Sequence, residues 1–474
     1  RKIDFHFFNF DEVLFQLTTP IKSASSSILT SYVKESLIGA VLLTGIIFGF
    51  LCVILHYINC NSFNIKLEFW KKKFDFNITG RVIKRCIRVF GLILTIGIVY
   101  YCLDKMLFID YVKAQANDSS FIEEHYVDPD DVTITFPEEK RNLIYIYLES
   151  YESTFFSSDL GGGGSYNYIE PLNELTSTNI SFSDTELFGG ATMVTGTSWT
   201  SASMVSQTAG IPLKNRLDNV SGVNSMLSGA TSLGNILEEN GYQQMLMIGS
   251  DKDFGNRGAY FSSHGNYQIY DYYTAIEKKK ISEDYYVWWG FEDSKLFEFA
   301  KEEITNMASI GQPFNFTMLT ANTHSVDGYL EPGCPLMFSS AYANSIYCSS
   351  MQVASFVDWI QQQDFYPNTT IILVGDHVSM QEDFYPDETT RRSYNLFINS
   401  AITDGDFTNR SFTVMDFFPT TLTSLGATIE GDRLGLGTDL FSDTPTLMEE
   451  VGYEYFEEEI QKYSPYYMKE FYYS

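Results

Sequence analysis

Two apolar runs end on residues that can bind a cation. Asn142-Leu-Ile-Tyr-Ile-Tyr-Leu148 is followed by Glu149, and Thr370-Ile-Ile-Leu-Val374 by Gly375, Asp376 and His377. In open α/β sheets, ligands collect at the carboxyl ends of strands. Gly375 helps the chain leave the sheet, so Asp376 and His377 can converge on one ion. Two carboxylates and an imidazole suit Zn²⁺, Mn²⁺ or a similar divalent ion. On these residues alone, Glu149 serves equally well as a helix cap and Asp376-His377 as a turn.

A third stretch supplies hydroxyls. Gly189-Gly-Ala-Thr-Met-Val-Thr-Gly-Thr-Ser-Trp-Thr200 leads into residues 201–208, which have helical character. Backbone N–H groups at a helix start can hold a phosphate. A threonine hydroxyl is a weak nucleophile near neutrality, and a divalent cation lowers its pKa as it does that of bound water. Taken by themselves, these Ser and Thr residues read as caps and turn formers. Gly161–Gly164 has no Lys-Ser/Thr after it and is not a phosphate-cradling loop.

The elements that must position these groups alternate. Residues 142–148, 244–248, 314–319, 370–374 and 395–398 are strand-like; 232–240, 293–309 and 347–363 have helical spacing. This predicts an α/β domain with a mostly parallel sheet. Residues 114–141, polar and rich in Asp, Glu and Pro, read as a linker. The acidic, aromatic tail 449–474 reads as a packed surface helix.

The front of the chain differs in kind. Residues 1–108 hold 13 Lys and Arg against 7 Asp and Glu, in a chain whose formal net charge is -29. That balance argues against nucleic acid as a partner, because phosphate backbones require clustered Lys and Arg. Residues 37–58 form an apolar run close to the ~20 residues a spanning helix needs. Residues 89–103 form a shorter run, extended by snorkelling of Arg88 and Lys105. Residues 59–88 between them carry eight basic side chains and are expected to be cytoplasmic. The N-terminus and everything beyond about residue 110 then lie outside. An outside N-terminus needs upstream helices, so the chain is expected to be a fragment or processed form. The aromatic cluster from Phe5 to Phe15 is read as an interfacial segment or as a staple against neighbouring membrane helices. Cys334 and Cys348, in the outer and therefore oxidising part, are expected to form a disulfide.

From Ile3 to Leu440 the sequence resembles the lipoteichoic acid synthase and phosphoglycerol transferase family, within the alkaline phosphatase and sulfatase superfamily. The resemblance rests on Asn142-Leu-Ile-Tyr-Ile-Tyr-Leu-Glu-Ser150, Thr197-Ser-Trp-Thr-Ser-Ala-Ser-Met204 with Gln207 and Gly210-Ile-Pro-Leu213, Val374-Gly-Asp-His377 and Arg433-Leu-Gly-Leu-Gly437. The Ser-Trp-Thr and Gly-Ile-Pro-Leu pieces are most similar to the branch acting on periplasmic glucans and wall polysaccharides. Phe5 to Pro20 resembles the outer loop before the last membrane helices of such enzymes.

The resemblance implies Thr200 as a metal-bound nucleophile, with Glu149, Asp376 and His377 as the other ligands of one divalent ion, Mn²⁺ ahead of Mg²⁺ or Zn²⁺. It implies Arg257, in Asp253-Phe-Gly-Asn-Arg257, and His324, in Asn322-Thr-His324, as substrate contacts. Phosphatidylglycerol is the implied donor, and an envelope polysaccharide, glucan or teichoic-acid-type polymer the acceptor. The family's Trp two residues before the arginine is Gly255 here, and an upstream His has no clear counterpart. His264 is expected to be structural.

The expected layout is therefore an outer membrane-proximal segment (1–36), two transmembrane helices with a basic loop (37–108), a linker (109–141), an extracellular or periplasmic sulfatase-like catalytic domain (142–448) and a tail (449–474), in a multi-pass protein of the cell membrane. Two alternatives remain: a phosphodiesterase or other hydrolase of the same superfamily, and an inactive envelope-binding module. A sulfatase activity would require a Cys or Ser precursor of formylglycine where this chain has Thr200.

Overall fold

The computed structural model describes residues 10–18, 45, 46, 49, 63–69, 72–78, 80–105, 107–214, 226–381, 384–385 and 389–472. Side chains alternate across a strand. In Asn142–Leu148 (β1), Leu143, Tyr145 and Tyr147 enter one buried core. Ile144, Ile146 and Leu148 enter a second core on the opposite face. A strand apolar at every position must be covered on both sides, the mark of an interior strand of a parallel sheet.

The other strands are Gln243–Ile248 (β2), Gln268–Tyr270 (β3), Phe314–Leu319 (β4), Thr369–Gly375 (β5) and Asn395–Ile398 (β6). Their order is β3-β2-β4-β1-β5-β6. All pairs are parallel except β5 with β6. The five apolar runs of the sequence all occur as strands. The three-residue β3 was not foreseen.

Five helices matter below: Phe10–Thr18 (α1), Gly80–Lys105 (α2), Thr200–Ala209 (α3), Asp293–Ser309 (α4) and Ala341–Gln361 (α5). In α5, Val353, Phe356, Val357 and Ile360 are buried in the second core, the i, i+3, i+4, i+7 spacing of an amphipathic helix. Cys348 of α5 is disulfide-bonded to Cys334, with Cα atoms 5.6 Å apart.

Residues 114–141 are not a loose linker. Phe121 and Ile122 are buried in the first core, and Phe121 meets Phe456 of the C-terminal segment edge-on at 5.4 Å. Ile134–Thr135 pairs with Thr428–Ile429. Their polar composition hides the few apolar side chains that tie them down. The C-terminal segment likewise buries Phe456, Ile460, Tyr467, Met468 and Phe471.

The chain divides into two compact units, Arg1–Ser23 with Tyr111–Ser474, and Ala24–Asp110. In the smaller unit, Phe63–Phe69 and Lys72–Ile78 form an antiparallel hairpin that sets Lys66 opposite Asp75 and Glu68 opposite Lys73. Residues 59–88 are thus more than a loop. The alternation Phe-Asn-Ile-Lys-Leu-Glu-Phe is a strand pattern that the charge count obscured. In α2, Val89, Phe90, Leu92, Ile93, Ile96 and Val99 are exposed. No helix of the described residues is long and apolar enough to cross a membrane. The apolar run 37–58 lies outside the described residues except for positions 45, 46 and 49.

Residues 5, 7 and 8 of the aromatic cluster also lie outside the described residues. The rest forms α1, which packs within the larger unit. Phe10, Leu14 and Phe15 are buried, and Phe10 meets Tyr111 at 5.2 Å. Here the aromatic staple closes on the larger unit itself.

Candidate active site

β1 and β5 are adjacent and parallel, so their ends deliver Glu149 and Asp376-His377 to one place. Gly375 makes the exit possible: a Cβ there would lie 1.9 Å from the Tyr151 carbonyl oxygen. Oδ1 of Asp376 accepts from the N–H groups of Ser150 (2.7 Å) and His377 (2.8 Å). Glu149 Oε1 accepts from the Ser150 hydroxyl at 2.7 Å. Nδ1 of His377 lies 2.8 Å from the Val378 carbonyl and must donate to it, since a carbonyl only accepts. That turns Nε2 toward the carboxylates, 3.6 Å from Glu149 Oε1 and 3.5 Å from Asp376 Oδ2.

The donor atoms of Glu149, Asp376 and His377 all lie within 4.8 Å of one another, and all three residues are buried. The Thr200 hydroxyl is close enough to Asp376 to favour its ionised form, yet Asp376 Oδ2 has no hydrogen bond of acceptable geometry. A buried carboxylate oxygen left without a donor is costly. Together with an imidazole nitrogen and a second carboxylate facing the same point, it fits a divalent cation. Burial, with the Glu149 charge, pushes Asp376 up to about 6, against opposing effects of His377, the Ser150 amide and Thr200. Burial alone would lower His377, but the Asp376 and Glu149 charges outweigh it and raise it to about 9.

Thr200 is the first residue of α3, after Trp199 in extended conformation. The helix is tied to the sheet by Gln207, whose amide donates to the Gly375 carbonyl (3.3 Å) and accepts from the Tyr145 hydroxyl (2.7 Å). This fixes the helix start beside the ends of β1 and β5.

Arg257 and His324 flank the cluster. Arg257 is buried, donates to the Ser250 hydroxyl (3.0 Å) and the Phe254 carbonyl (2.9 Å), and lies over the Phe254 ring at 5.3 Å. Burial lowers it to about 10, opposed by the charges of Glu149, Asp251 and Asp376, so it stays cationic at neutral pH. His324 is set at a ring distance of 4.7 Å from Trp289, and its Nδ1 lies 2.7 Å from the Ser325 carbonyl. Burial lowers it to about 4, with His377 and Arg257 adding to the effect. It is neutral, and Nε2 is its acceptor. All six residues singled out for catalysis and binding therefore occupy one neighbourhood. His264 does not join them: its ring is stacked on Tyr260 at 4.3 Å, and its two nitrogens lie 3.0 Å and 2.9 Å from the Tyr260 and Leu227 carbonyls.

The departure at Gly255 has a structural reason. Its φ is 63°, and a Cβ would lie 2.5 Å from the Ser201 hydroxyl oxygen, which donates to the Gly255 carbonyl at 2.8 Å. A side chain there would force the Ser201 hydroxyl to move and would sit in a left-handed backbone conformation that favours glycine. Trp289, from another loop, instead meets both Phe254 (5.3 Å) and His324.

Sequence reasoning missed the support behind the ligands. Glu152, fully buried, accepts from the Ser379 amide (2.9 Å) and pairs with Arg391 at 2.6 Å; Arg391 also donates to the Ser379 carbonyl. Asp293 at the start of α4 is a second support. Its carboxylate accepts from the amides of Ala321 and Asn322, fixing the loop that carries His324. Burial raises Asp293 to about 7, against those two bonds.

The model of the family described as Sulfatase matches residues 141–427, more than half of the chain. The chain belongs to the sulfatase family. Within it, Thr200 opens the helix facing the ligand cluster. Phosphoglycerol transferase I of Escherichia coli O127:H6 is 29% identical over 304 residues, which cover 61% of this chain and 37% of that protein. The protein of the same name from Citrobacter koseri matches with the same identity and coverage. This sulfatase-family chain thus spans little more than a third of the length of these curated relatives.

Among solved structures, the lipoteichoic acid synthase LtaP from Listeria monocytogenes superposes with a TM-score of 0.53 at 15% identity, covering 69% of this chain and 82% of that one. An alkaline phosphatase superfamily protein from Vibrio parahaemolyticus gives 0.52 at 20% identity, covering 73% and 80%. Both show that the sulfatase-family fold is shared.

Proposed function

We propose that this chain is the catalytic part of a membrane-attached, metal-dependent phosphoglycerol transferase. It would move glycerol phosphate from phosphatidylglycerol to an envelope polysaccharide, glucan or teichoic-acid-type polymer. The observation that carries the reading is Thr200 at the start of α3, its hydroxyl beside Asp376, whose buried Oδ2 lacks a hydrogen bond of acceptable geometry. Similarity to phosphoglycerol transferase I supports the transferred group.

Glu149, Thr200, Asp376 and His377 would hold one divalent ion, Mn²⁺ before Mg²⁺ or Zn²⁺. When bound, such an ion supplies Lewis acidity and lowers the pKa of a coordinated hydroxyl. Arg257, cationic and buried, orients the phosphodiester through charge-assisted hydrogen bonds. In the first step the Thr200 oxygen bonds to phosphorus and the bond to the diacylglycerol oxygen breaks. The threonine proton ends on diacylglycerol. In the second step an acceptor hydroxyl oxygen bonds to phosphorus, the bond to Thr200 breaks, and the acceptor proton returns to Thr200. His324, held neutral with Nε2 as acceptor, is suited to orient that hydroxyl.

The exposed apolar side chains of α2 support attachment to a lipid surface. The Cys334–Cys348 bond supports an extracellular or periplasmic site for the catalytic domain. The test is mass spectrometry of products after incubation with phosphatidylglycerol, Mn²⁺ and candidate glycans. Diacylglycerol with a phosphoglycerol-bearing glycan is the expected result. Free glycerol phosphate formed regardless of acceptor points to a phosphodiesterase, and no turnover points to a binding module.

A further inference from the structure

Beside His324 stands a pair of large rings that the transfer chemistry does not use. Residues 287–290 form a tight reversal. The Val287 and Gly290 backbones bond each other in both directions, at 2.8 and 2.9 Å, with Trp288 and Trp289 at the tip. Trp289 is buried against His324. Trp288 is only half-buried. Its φ is 59°, at the first central position of a two-residue tip, where a positive φ is glycine's place. A bulky residue held there is an outlier that its surroundings must maintain.

The surroundings do so from the His324 loop. The Trp288 indole N–H donates to the Ala321 carbonyl at 2.9 Å. Its ring stacks on Tyr329, with centroids 6.1 Å apart and planes inclined by 22°. The Tyr329 amide donates to the Asn322 carbonyl at 2.6 Å. Both rings are thus fastened to Ala321 and Asn322, which lead through Thr323 into His324. Thr323 in turn donates to the Glu149 carbonyl. Tyr329 is half-buried as well, and Val326 is exposed. A fixed aromatic surface therefore stays partly open to solvent at the His324 edge of the site. Its neighbours are mainly acidic. Glu292 accepts from the Tyr285 hydroxyl at 2.7 Å, and Glu331 from the Asn322 side chain at 2.6 Å. Lys295 lies over the Tyr285 ring at 5.3 Å.

We propose that Trp288 and Tyr329 are the platform for the acceptor: a sugar ring of an uncharged glycan stacks on them and so presents a hydroxyl to His324. The proposal rests on the phosphoglycerol-transfer reading and narrows its acceptor. One face of a sugar ring is lined by C–H bonds carrying slight positive charge, which suits the negative face of an aromatic ring. Hydroxyls at the rim of the sugar find acceptors in nearby carboxylates. A polymer of glycerol phosphate offers no flat face, and the same carboxylates repel its phosphates.

The full chain, loaded with Mn²⁺ and phosphatidylglycerol, is assayed with three acceptors: a neutral β-glucan oligosaccharide, an oligomer of glycerol phosphate, and glycerol, which has hydroxyls and no ring. In a two-step transfer, kcat/KM for each substrate reports its own half-reaction. The wild-type chain should prefer the glucan to the glycerol phosphate oligomer, and the opposite preference overturns the proposal. Trp288→Gly suits the backbone and removes the ring. It should lower kcat/KM for the glucan about tenfold, the scale of one stacking contact, with little change for glycerol or for phosphatidylglycerol. Trp288→Phe should keep part of the glucan activity. An equal fall for glycerol means that Trp288 only braces His324, and a fall confined to phosphatidylglycerol means that the rings seat an acyl chain; either overturns the proposal. If Trp288→Gly does not fold, Tyr329→Leu, which keeps the main-chain bond to Asn322, must show the same selective fall, and its absence overturns the proposal. A wild-type chain that splits no phosphatidylglycerol overturns the transfer reading and this inference with it. A chain that splits the lipid but does not use the glucan, or whose Trp288→Gly variant uses it unchanged, overturns this inference alone.

Discussion

On the side of β1 and β5, the candidate ligand residues are buried and tied by backbone amides: Asp376 by two, and the loop beyond His377 by the Glu152–Arg391 pair. On the side of Arg257 and His324, the groups stand at the start of the short helix Arg257–Ser263 and on a loop, held by aromatic contacts and by hydrogen bonds to neighbouring residues. The first side is determined by the sheet, which must end there. The second is assembled from segments that can change without disturbing the sheet. On the proposed reading, cation binding would be built into the fold, and the choice of donor and acceptor added to it.

The comparison breaks most clearly at Thr200, the proposed nucleophile, where both sides meet. Thr200→Ala removes the attacking oxygen and should reduce transfer by at least about a thousandfold. Wild-type protein quenched during turnover should carry phosphoglycerol on the peptide containing Thr200, and the Ala variant none. Thr200→Ser keeps a hydroxyl but loses the methyl that restricts χ1, and should retain partial activity. A label on Thr197, Ser198, Ser201 or Ser203 would assign the nucleophile elsewhere.

His377→Ala tests the sheet side alone. It should abolish metal binding and activity while leaving the fold largely intact, read by circular dichroism. Full metal occupancy in that variant means that the ligand set is wrong. In the metal-free wild type, His377 is raised to about 9, so at pH 7 it carries a proton that a metal must displace. Metal affinity should therefore rise with pH, by about tenfold per unit below 9. A pH-independent affinity between 7 and 8.5, measured by calorimetry, argues against the imidazole as a ligand.

A smaller effect is expected one layer out. Glu152→Gln keeps the shape but weakens the hold on the Ser379 amide and leaves Arg391 without its charge partner. Supports of metal ligands typically contribute 10- to 100-fold in affinity. Metal affinity should fall by about tenfold, with the donor preference unaltered. A loss of stability without any change in metal affinity would reduce Glu152 to a packing residue.

The two sides also differ in how far the sequence reveals them. Apolar runs ending in Glu149 and in Asp376-His377 mark the sheet side, because a strand covered on both faces must be apolar at every position. Residues 268–270 were missed because three residues are too few for a period. Glu152 carries no pattern, and its partner Arg391 is 239 residues away. The linker reading of 114–141 failed because Phe121 and Ile122 are two apolar positions in a polar stretch. Arg257 and His324 were found by resemblance, since a lone Arg at a helix start or a lone His in a loop has no spacing to betray it. The contact of Phe15 in α1 with Trp199, at a ring distance of 5.8 Å, was illegible for the same reason. Aromatic residues at 10 and 15 announce burial, but nothing in the sequence says against what.

The smallest effect concerns a support of the second side. Cys334 lies next to Glu331 in the same turn, its amide donating to the Glu331 carbonyl at 3.2 Å. The Glu331 carboxylate accepts from the Asn322 side chain (2.6 Å), the Ser294 amide (3.0 Å) and the Gln352 side chain on α5 (3.0 Å). Asn322 precedes His324 by two residues. The disulfide to α5 therefore braces the turn that braces the His324 loop. Replacing both cysteines by serine opens a loop of 14 residues. On the chain-entropy account this costs about 3 kcal/mol of stability. Below the melting range, KM for the acceptor should rise by roughly two- to threefold, through loosening of His324, while metal affinity is unchanged. A matching fall in metal affinity would show that the two sides are one cooperative structure, and the division drawn between them would not stand.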